Sequence, residues 1–471
     1  LSDLLDPFGL FRDAAYGAER LGRSLIGQER IRLAVTGLSR AGKTVFLTSL
    51  LANLLAAGRG LNTLDALGKA AGGRLHAVRV APPGNEALPR FDVAGHLAAL
   101  AADPPAWPPR TEDLSTLELV LEVRRQTDPV GLVSGVLGQR TVTLELLDYP
   151  GEWLLDLPML RQDYAAWSAE TLARLRRGPR AGIAAEFLAF IEALPAGMPA
   201  EESTVRRGAA LYRDVLRACR DRLGFRFLQP GRLLNPGPRG ETPLLWFFPL
   251  PGGAAGPLGR LLADRHAAYI AAQRAEFFEP YFRRFERQAV LVDVLGALHA
   301  GPEAFADTAE ALAAIADALR YGGGWMDWLT GVGVQRVAFV ATKADHVPER
   351  QRHALEALLG SLTGGPAQRA GAAGVSSSVH SMAAIRCTED DVATLEGRPV
   401  AAVRGVLLES GKPAKVYPGD IPLKPPGPDY WAHGFFEMPE FQPPRFDAAG
   451  GHGVPHLGLD AVLAALIGDA L

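Results

Sequence analysis

A three-layer α/β/α domain interrupted by a large inserted helical domain is the fold this sequence predicts. Three observations carry it. The run Gly37-Leu38-Ser39-Arg40-Ala41-Gly42-Lys43-Thr44 reads G-x-x-x-x-G-K-T, the pattern of a phosphate-binding P-loop. Short strand-like runs alternate with helix-compatible ones in the first and last thirds of the chain, as in a sheet covered by helices. Between them, from about Trp153 to Gln288, helical spacing recurs without a strand pattern.

The P-loop has the flanks it needs. Ile31-Arg32-Leu33-Ala34-Val35 is a buried-strand pattern, and Val45-Phe46-Leu47-Thr48-Ser49-Leu50-Leu51 is helix-compatible. In strand–loop–helix order the N–H groups of Ser39, Ala41, Gly42, Lys43, Thr44 and Val45 would face a polyphosphate at a positive helix end. Gly37 and Gly42 permit the tight turn. Lys43 would lie on the β/γ-phosphates and the Thr44 hydroxyl on Mg²⁺, making the predicted class a P-loop NTPase. Only six of 49 basic residues are Lys, so a chance match is expected roughly once in a hundred such chains.

Composition narrows the class further. The chain has 471 residues, room for two or three domains, and 48% hydrophobic with 21% charged residues is globular. A net charge of −3 supplies no basic footprint for nucleic acid. Cys219 and Cys387 stand far apart, suggesting neither a disulfide framework nor a zinc site. Asp3, Asp6 and Arg12 interrupt any signal-peptide core. The longest uncharged run, Thr242 to Gly259, contains four prolines and is no transmembrane helix. A cytoplasmic protein is expected. His452 and His456 are four apart, but within Gly-His-Gly-Val-Pro-His, where no helix aligns them as ligands. No Ser/His/Asp or Cys/His set argues for nucleophilic catalysis.

Taken in order, residues 9–26 read as an amphipathic helix, either docked on the domain or turned to a membrane surface or partner. Gly58 to Pro109 reads as loop-rich. Leu117–Val123 and Thr141–Leu147 alternate as strands. Ala184–Glu192, Ala209–Leu223 and Leu258–Phe285 read as helices, divided by a break at Pro230–Pro238. Strand character returns at Ala289–Leu295, Arg336–Ala341 and Val379–Arg386, with helices at Pro302–Leu319 and Gln351–Leu362. Val400–Leu408 and Lys412–Tyr417 would pair across Ser410-Gly411, and Leu457–Leu471 is an amphipathic helix. The expected division is 1–152, first part of the α/β domain with the N-terminal helix; 153–288, the helical insertion; 289–387, the second part; 388–450, a small elaboration; and 451–471, a returning helix.

Two further motifs specify the nucleotide. Asp148-Tyr149-Pro150-Gly151 fits D-x-x-G at a strand end, where Asp148 would reach Mg²⁺ through water and the Gly151 N–H would contact the γ-phosphate. Thr342-Lys343-Ala344-Asp345 fits [N/T]-K-x-D. The Asp345 carboxylate can accept from guanine N1–H and N2–H₂, and the Lys343 stem can lie against the base. The competing readings are a plain turn for the first and a capped helix start for the second.

The order of these motifs, the helical insertion between them, and the phrases Trp107-Pro108-Pro109-Arg110-Thr111 and Thr342-Lys343-Ala344-Asp345-His346 resemble the YcjX family over nearly the whole chain. These are bacterial P-loop proteins of GTPase type linked to stress responses. The resemblance implies GTP/GDP and Mg²⁺ as ligands.

Thr111, just before the Leu117–Val123 strand, is then the candidate switch ligand of Mg²⁺ and the γ-phosphate, with turn capping as its alternative. Arg110, beside it, is counted with the nucleotide contacts. Ala384 and Ile385 would close over the base through backbone N–H, and Trp107 and His346 would pack near base or ribose. Glu152 stands where many GTPases place a water-orienting Gln, and its charge would repel the γ-phosphate. Arg40 occupies the loop position at which guanylate-binding proteins carry an internal arginine finger. It is either that or a solvated residue. The candidate catalytic set is Arg40, Lys43, Thr111 and Glu152, and the metal set Thr44, Thr111 and Asp148. The reading is a slow GTP-hydrolysing switch with a peripheral membrane or membrane-protein partner in view. The alternatives are a nucleotide-dependent scaffold without useful turnover and a dynamin-like membrane-associated GTPase.

Overall fold

The computed structural model describes residues 28–38, 40–82, 88–109, 114–124, 139–195, 197–237, 240–253, 255–281, 284–319, 334–372, 374–433, 436–447 and 451–471. The helix expected at 9–26 lies outside them. In chain order the elements begin β1 (Gln28–Gly37), α1 (Lys43–Ala57), β2 (Leu75–Ala81), β3 (Ser115–Arg124) and β4 (Gln139–Asp148). Helices α2 (Tyr164–Leu175), α3 (Ala185–Glu192), α4 (Glu202–Arg222) and α5 (Gly256–Gln273) follow. Then come β5 (Arg287–Val292), α6 (Pro302–Leu319), β6 (Arg336–Ala341), α7 (Glu349–Ala372) and β7 (Ser376–Ser381). The last are β8 (Thr388–Leu395), β9 (Arg398–Val406), β10 (Pro413–Val416) and α8 (Leu459–Ile467).

Two units emerge. The first comprises residues 1–149, 284–295 and 320–471, and the second residues 150–283 and 296–319. In the first, seven strands lie in the order β2-β3-β4-β1-β5-β6-β7. From β4 through β7 neighbours are parallel, while β3 and β2 are antiparallel additions. Parallel strands are covered on both faces, which is why Leu33–Val35, Ala289–Val292 and Val337–Ala341 are uninterrupted apolar runs with no exposed surface to speak of. Helix α1 carries no charge beyond Lys43, and its Phe46, Leu47, Leu50, Leu51 and Leu54 are buried on several sides. They share one core with Leu144 and Leu146 of β4 and Val462, Leu463 and Leu466 of α8. Each such side chain contributes about 1.5–3 kcal/mol by leaving water.

Two strands depart from expectation. Leu75–Ala81 lies in the stretch read as loop. It is a half-exposed edge strand, with Arg79 and Val80 in solvent, so no clean alternation marks it. Thr388–Leu395 is the charged edge of a second, three-stranded sheet ordered β10-β9-β8. β9 and β10 do pair antiparallel across Gly411, whose φ of 63° only glycine adopts freely.

The second unit contains no strand among its described residues. The expected long helix at 258–285 stops at Gln273 and continues as a π-turn, Arg274–Phe278. Trp167, Phe187, Tyr212, Phe247, Phe248 and Tyr269 form its core, and Gly208 is required where a Cβ would sit 2.2 Å from the Phe248 ring. The 3₁₀ segment Gly151–Arg161 is fastened into it. Asp156 accepts from Tyr269 O–H at 2.5 Å and Gly231 N–H at 2.7 Å, and Trp153 donates to the Asn235 carbonyl at 3.2 Å. Helix α6 belongs to the same core. Its Ala304 is packed there, and its Asp307 accepts the N–H groups of Arg226 and Phe227 and pairs with Arg180.

Candidate functional site

The parallel register brings the motif-bearing loops of the first unit to one edge of the sheet. Gly37 ends β1, Asp148 ends β4, Asp293 follows β5, Thr342 to Asp345 follow β6, and Met382 to Cys387 follow β7. Open α/β sheets bind ligands at this carboxyl edge.

The P-loop is built by close approach. A Cβ on Gly37 would lie 2.9 Å from the Leu291 carbonyl oxygen of the neighbouring strand, so the chain passes only as glycine. Gly42 turns the chain into α1 with φ 81°. The first turn of α1 has no side-chain cap and no acidic residue, which leaves its positive end to an anion. Lys43 Nζ donates to the Gly37 carbonyl at 3.0 Å, bending the ammonium back over the loop. Arg40 is exposed and stands at φ 67°, a left-handed conformation unusual for a residue with a Cβ. Thr44 is buried at the loop end. Ser39 lies outside the described residues, as do Arg110 and Thr111.

Asp148 is buried and stands in register with Val35 of β1, two residues before Gly37, and with Ser115 of β3. A threonine hydroxyl and one carboxylate are a sparse, all-oxygen donor set. That suits Mg²⁺, which keeps waters and substrate phosphates for its remaining positions. Among the described residues no cluster of three His, Cys, Asp or Glu offers an all-protein metal cage.

Around Asp345 the first unit closes tightly. Its carboxylate accepts the Cys387 N–H at 2.7 Å, and His346 Nδ1 lies 3.2 Å from its other oxygen. Burial pushes this carboxyl up, but the His346 charge and the two hydrogen bonds outweigh it and hold it below the ordinary carboxylate value. The Thr388 hydroxyl donates to the Asp345 carbonyl, and the Ala344 N–H to the Met382 carbonyl. Ser49 of α1 donates to the Ala384 carbonyl, so the loop carrying Ala384 and Ile385 is fixed to the helix that follows the P-loop. Ile385 shares a small cluster with Val45, Trp107, Cys387 and Phe446. Trp107 donates to the Phe441 carbonyl at 2.9 Å, and the Phe441 ring meets His346 edge-on at 5.1 Å. Phe441, which no motif marks, comes from the small elaboration and backs both residues.

Gly151 and Glu152 belong to the helical unit. Glu152 is half-buried, and its carbonyl oxygen would lie 2.2 Å from a Cβ on Gly231. Its charge, after the Asp221 hydrogen bond, helps raise the Arg220 pKa.

The family model described as YcjX-like family, DUF463, matches residues 31–471. The Escherichia coli (strain K12) protein named Ras-like GTPase YcjX is 37% identical over 455 residues, which cover 94% of this chain and 96% of that protein. A Shewanella oneidensis protein of the same name is 34% identical over 463 residues, 94% of each chain. Both the family match and these identities span nearly the full length, and the chain belongs to the YcjX-like family.

Proposed function

We propose that this protein binds GTP and GDP at the carboxyl edge of its seven-stranded sheet and hydrolyses GTP slowly, as a cytoplasmic nucleotide-dependent switch. The observation that carries the reading is that Gly37–Thr44, Asp148 and Thr342–Asp345 follow the ends of parallel strands on one edge of the sheet, β4 beside β1 and β6 one strand further on across β5, in a chain whose relatives are named Ras-like GTPases. In this reading the P-loop N–H groups and Lys43 hold the phosphates, Thr44, Asp148 and Thr111 hold Mg²⁺, and Asp345 selects guanine. Mg²⁺, when bound, neutralises charge between the β- and γ-phosphates. Ala384 and Ile385 offer backbone donors to the base, and Trp107 and His346 wall it in.

Hydrolysis depends on what replaces the usual Gln. Glu152 cannot orient water as an amide does, so Arg40 is proposed as an internal arginine finger. Its guanidinium would offset charge that develops on the phosphates in the transition state. The helical unit is proposed to report nucleotide state, because its first segment, Gly151–Arg161, begins within the D-x-x-G motif and is anchored in that unit through Asp156 and Gly231. The stress-response setting that the family resemblance implies is where such a switch would act. No described helix is long and apolar enough to cross a membrane.

Purified protein should retain guanine nucleotide and release phosphate from GTP in a single-turnover assay. A second reading, a nucleotide-dependent scaffold, is favoured by Glu152 alone. It is upheld if GTP is bound but no phosphate appears over hours. Retention of adenine nucleotide would sink both.

A further inference from the structure

Asp293 lies one residue beyond β5, in no nucleotide motif, and is buried. It accepts the Lys343 ammonium at 2.6 Å, with the carboxylate 6% and the lysine 30% exposed. The two loops are also fastened beside this pair. Thr342 donates to the Val292 carbonyl through its N–H at 2.9 Å and through its hydroxyl at 3.3 Å. Lys343 itself stands at φ 61°, a left-handed conformation that costs a side chain with a Cβ and that the surroundings must hold in place.

These contacts fix Lys343 at both ends. The backbone is set by Thr342 on one side and by the Ala344 N–H on the Met382 carbonyl on the other. The ammonium is set by Asp293. The four-carbon stem between them is therefore a strip of CH₂ groups with little rotamer freedom left to lose. A lysine left loose would have to be ordered when a base settled against it, and that ordering subtracts from affinity.

We propose that Asp293 is a positioning residue for the base: it pre-orders the Lys343 stem as one face of the guanine site. It acts through Lys343 and touches no nucleotide. This rests on the guanine-nucleotide reading above, and the measurement separates the two.

Fluorescent GDP is titrated into wild type, Asp293→Asn, Lys343→Met and the double variant, with release rates measured on each. Asp293→Asn should weaken GDP about tenfold, mainly through faster release, because a stem ordered only on binding lowers affinity without changing encounter. Lys343→Met keeps an apolar stem without the charge, so adding Asp293→Asn to it should cost nothing more, and the cycle is non-additive. Asp293→Glu, which keeps the charge but moves it by one CH₂, should lose less than Asn and serves if Asn proves unstable to melting. Unchanged GDP affinity in Asp293→Asn overturns the proposal. So does an equal loss with and without the lysine charge, since the carboxylate would then act on the fold or on the phosphate side. A wild type that binds no GDP overturns the guanine reading itself, whatever Asp293 does.

Discussion

The Cys387 N–H donates to Asp345 Oδ2 at 2.7 Å, which ties the loop after β7 to the carboxylate proposed to choose the base. A carboxylate has about four acceptor sites, and Cys387 and His346 take two. That leaves capacity for guanine N1–H and N2–H₂. Adenine would leave the buried acceptor without these donors. GDP should therefore bind at least ~10²-fold tighter than ADP. Asp345→Asn should move preference towards xanthine nucleotides, whose O2 accepts from the new amide. Competition titration with GDP, ADP and XDP checks both, and equal GDP and ADP affinities in the wild type would defeat the assignment.

Lys43 folds back on Gly37 within the loop it serves, so its charge is held where phosphates would sit. Lys43→Ala removes that charge and no core contact. Nucleotide binding should be abolished while the melting curve stays within a degree or two, about the ±0.5 kcal/mol expected of a surface change. Unaltered affinity for GTP would remove the P-loop from the site.

Arg40 separates backbone from chemistry. Its φ of 67° costs roughly 1–2 kcal/mol for a residue with a Cβ. Arg40→Gly should melt higher than Arg40→Ala by about that amount. Both variants should hydrolyse GTP at least ~10-fold more slowly in single turnover, with GDP affinity changed less than ~3-fold, since a finger acts on the transition state. Wild-type rates in both variants would return Arg40 to the solvated loop reading.

Asp156 and His266 set opposite pH slopes in the helical unit. Burial pushes Asp156 up to about 7, against Tyr269, Gly231 and Arg232, and pushes His266 down to about 4, against Asp163. As pH rises from the ordinary carboxylate value towards 7, native Asp156 keeps a proton that the unfolded chain releases, and stability falls. As pH drops from about 6.5 to about 4, the unfolded His gains a proton that native His266 lacks, and stability also falls. Each slope is at most ~1.4 kcal/mol per pH unit, and in the shared window they offset. Relative to wild type, His266→Gln should gain stability as pH is lowered through that window, and Asp156→Asn should lose it. Urea unfolding at three pH values decides the matter, and parallel profiles for all three proteins would refute it.

What the sequence discloses follows from how strongly chemistry restricts residue type. Gly37, Lys43, Asp148 and Asp345 are legible because the proposed phosphate cradle and base acceptor would admit few substitutes at fixed spacing. The buried strands β1, β5 and β6 are legible because both faces are covered. Leu75–Ala81 and Thr388–Leu395 are not, since an edge strand half in water carries Arg, Glu and Asp where a core strand carries Val. Asp293 and Phe441 are harder still. An acid after a strand and a lone aromatic in a Pro-rich tract have meaning only once the fold sets them against Lys343 and His346. The one available signal for Asp293 was its place at the end of a buried strand in a parallel sheet.

Asp307 and Ala304 complete the helical core from α6, on the far side of β5 in the chain. On a ribosome this imposes an order. The segment from Pro150 to Arg283 emerges before the helix that closes it, with the N–H groups of Arg226 and Phe227 awaiting Asp307. β5 is synthesised in the interval, so the central sheet can recruit its fifth strand while the helices are still incomplete. Nascent chains arrested after residue 295 should accordingly be cleaved by protease within 150–283, and those arrested far enough beyond 319 to clear the exit tunnel should resist.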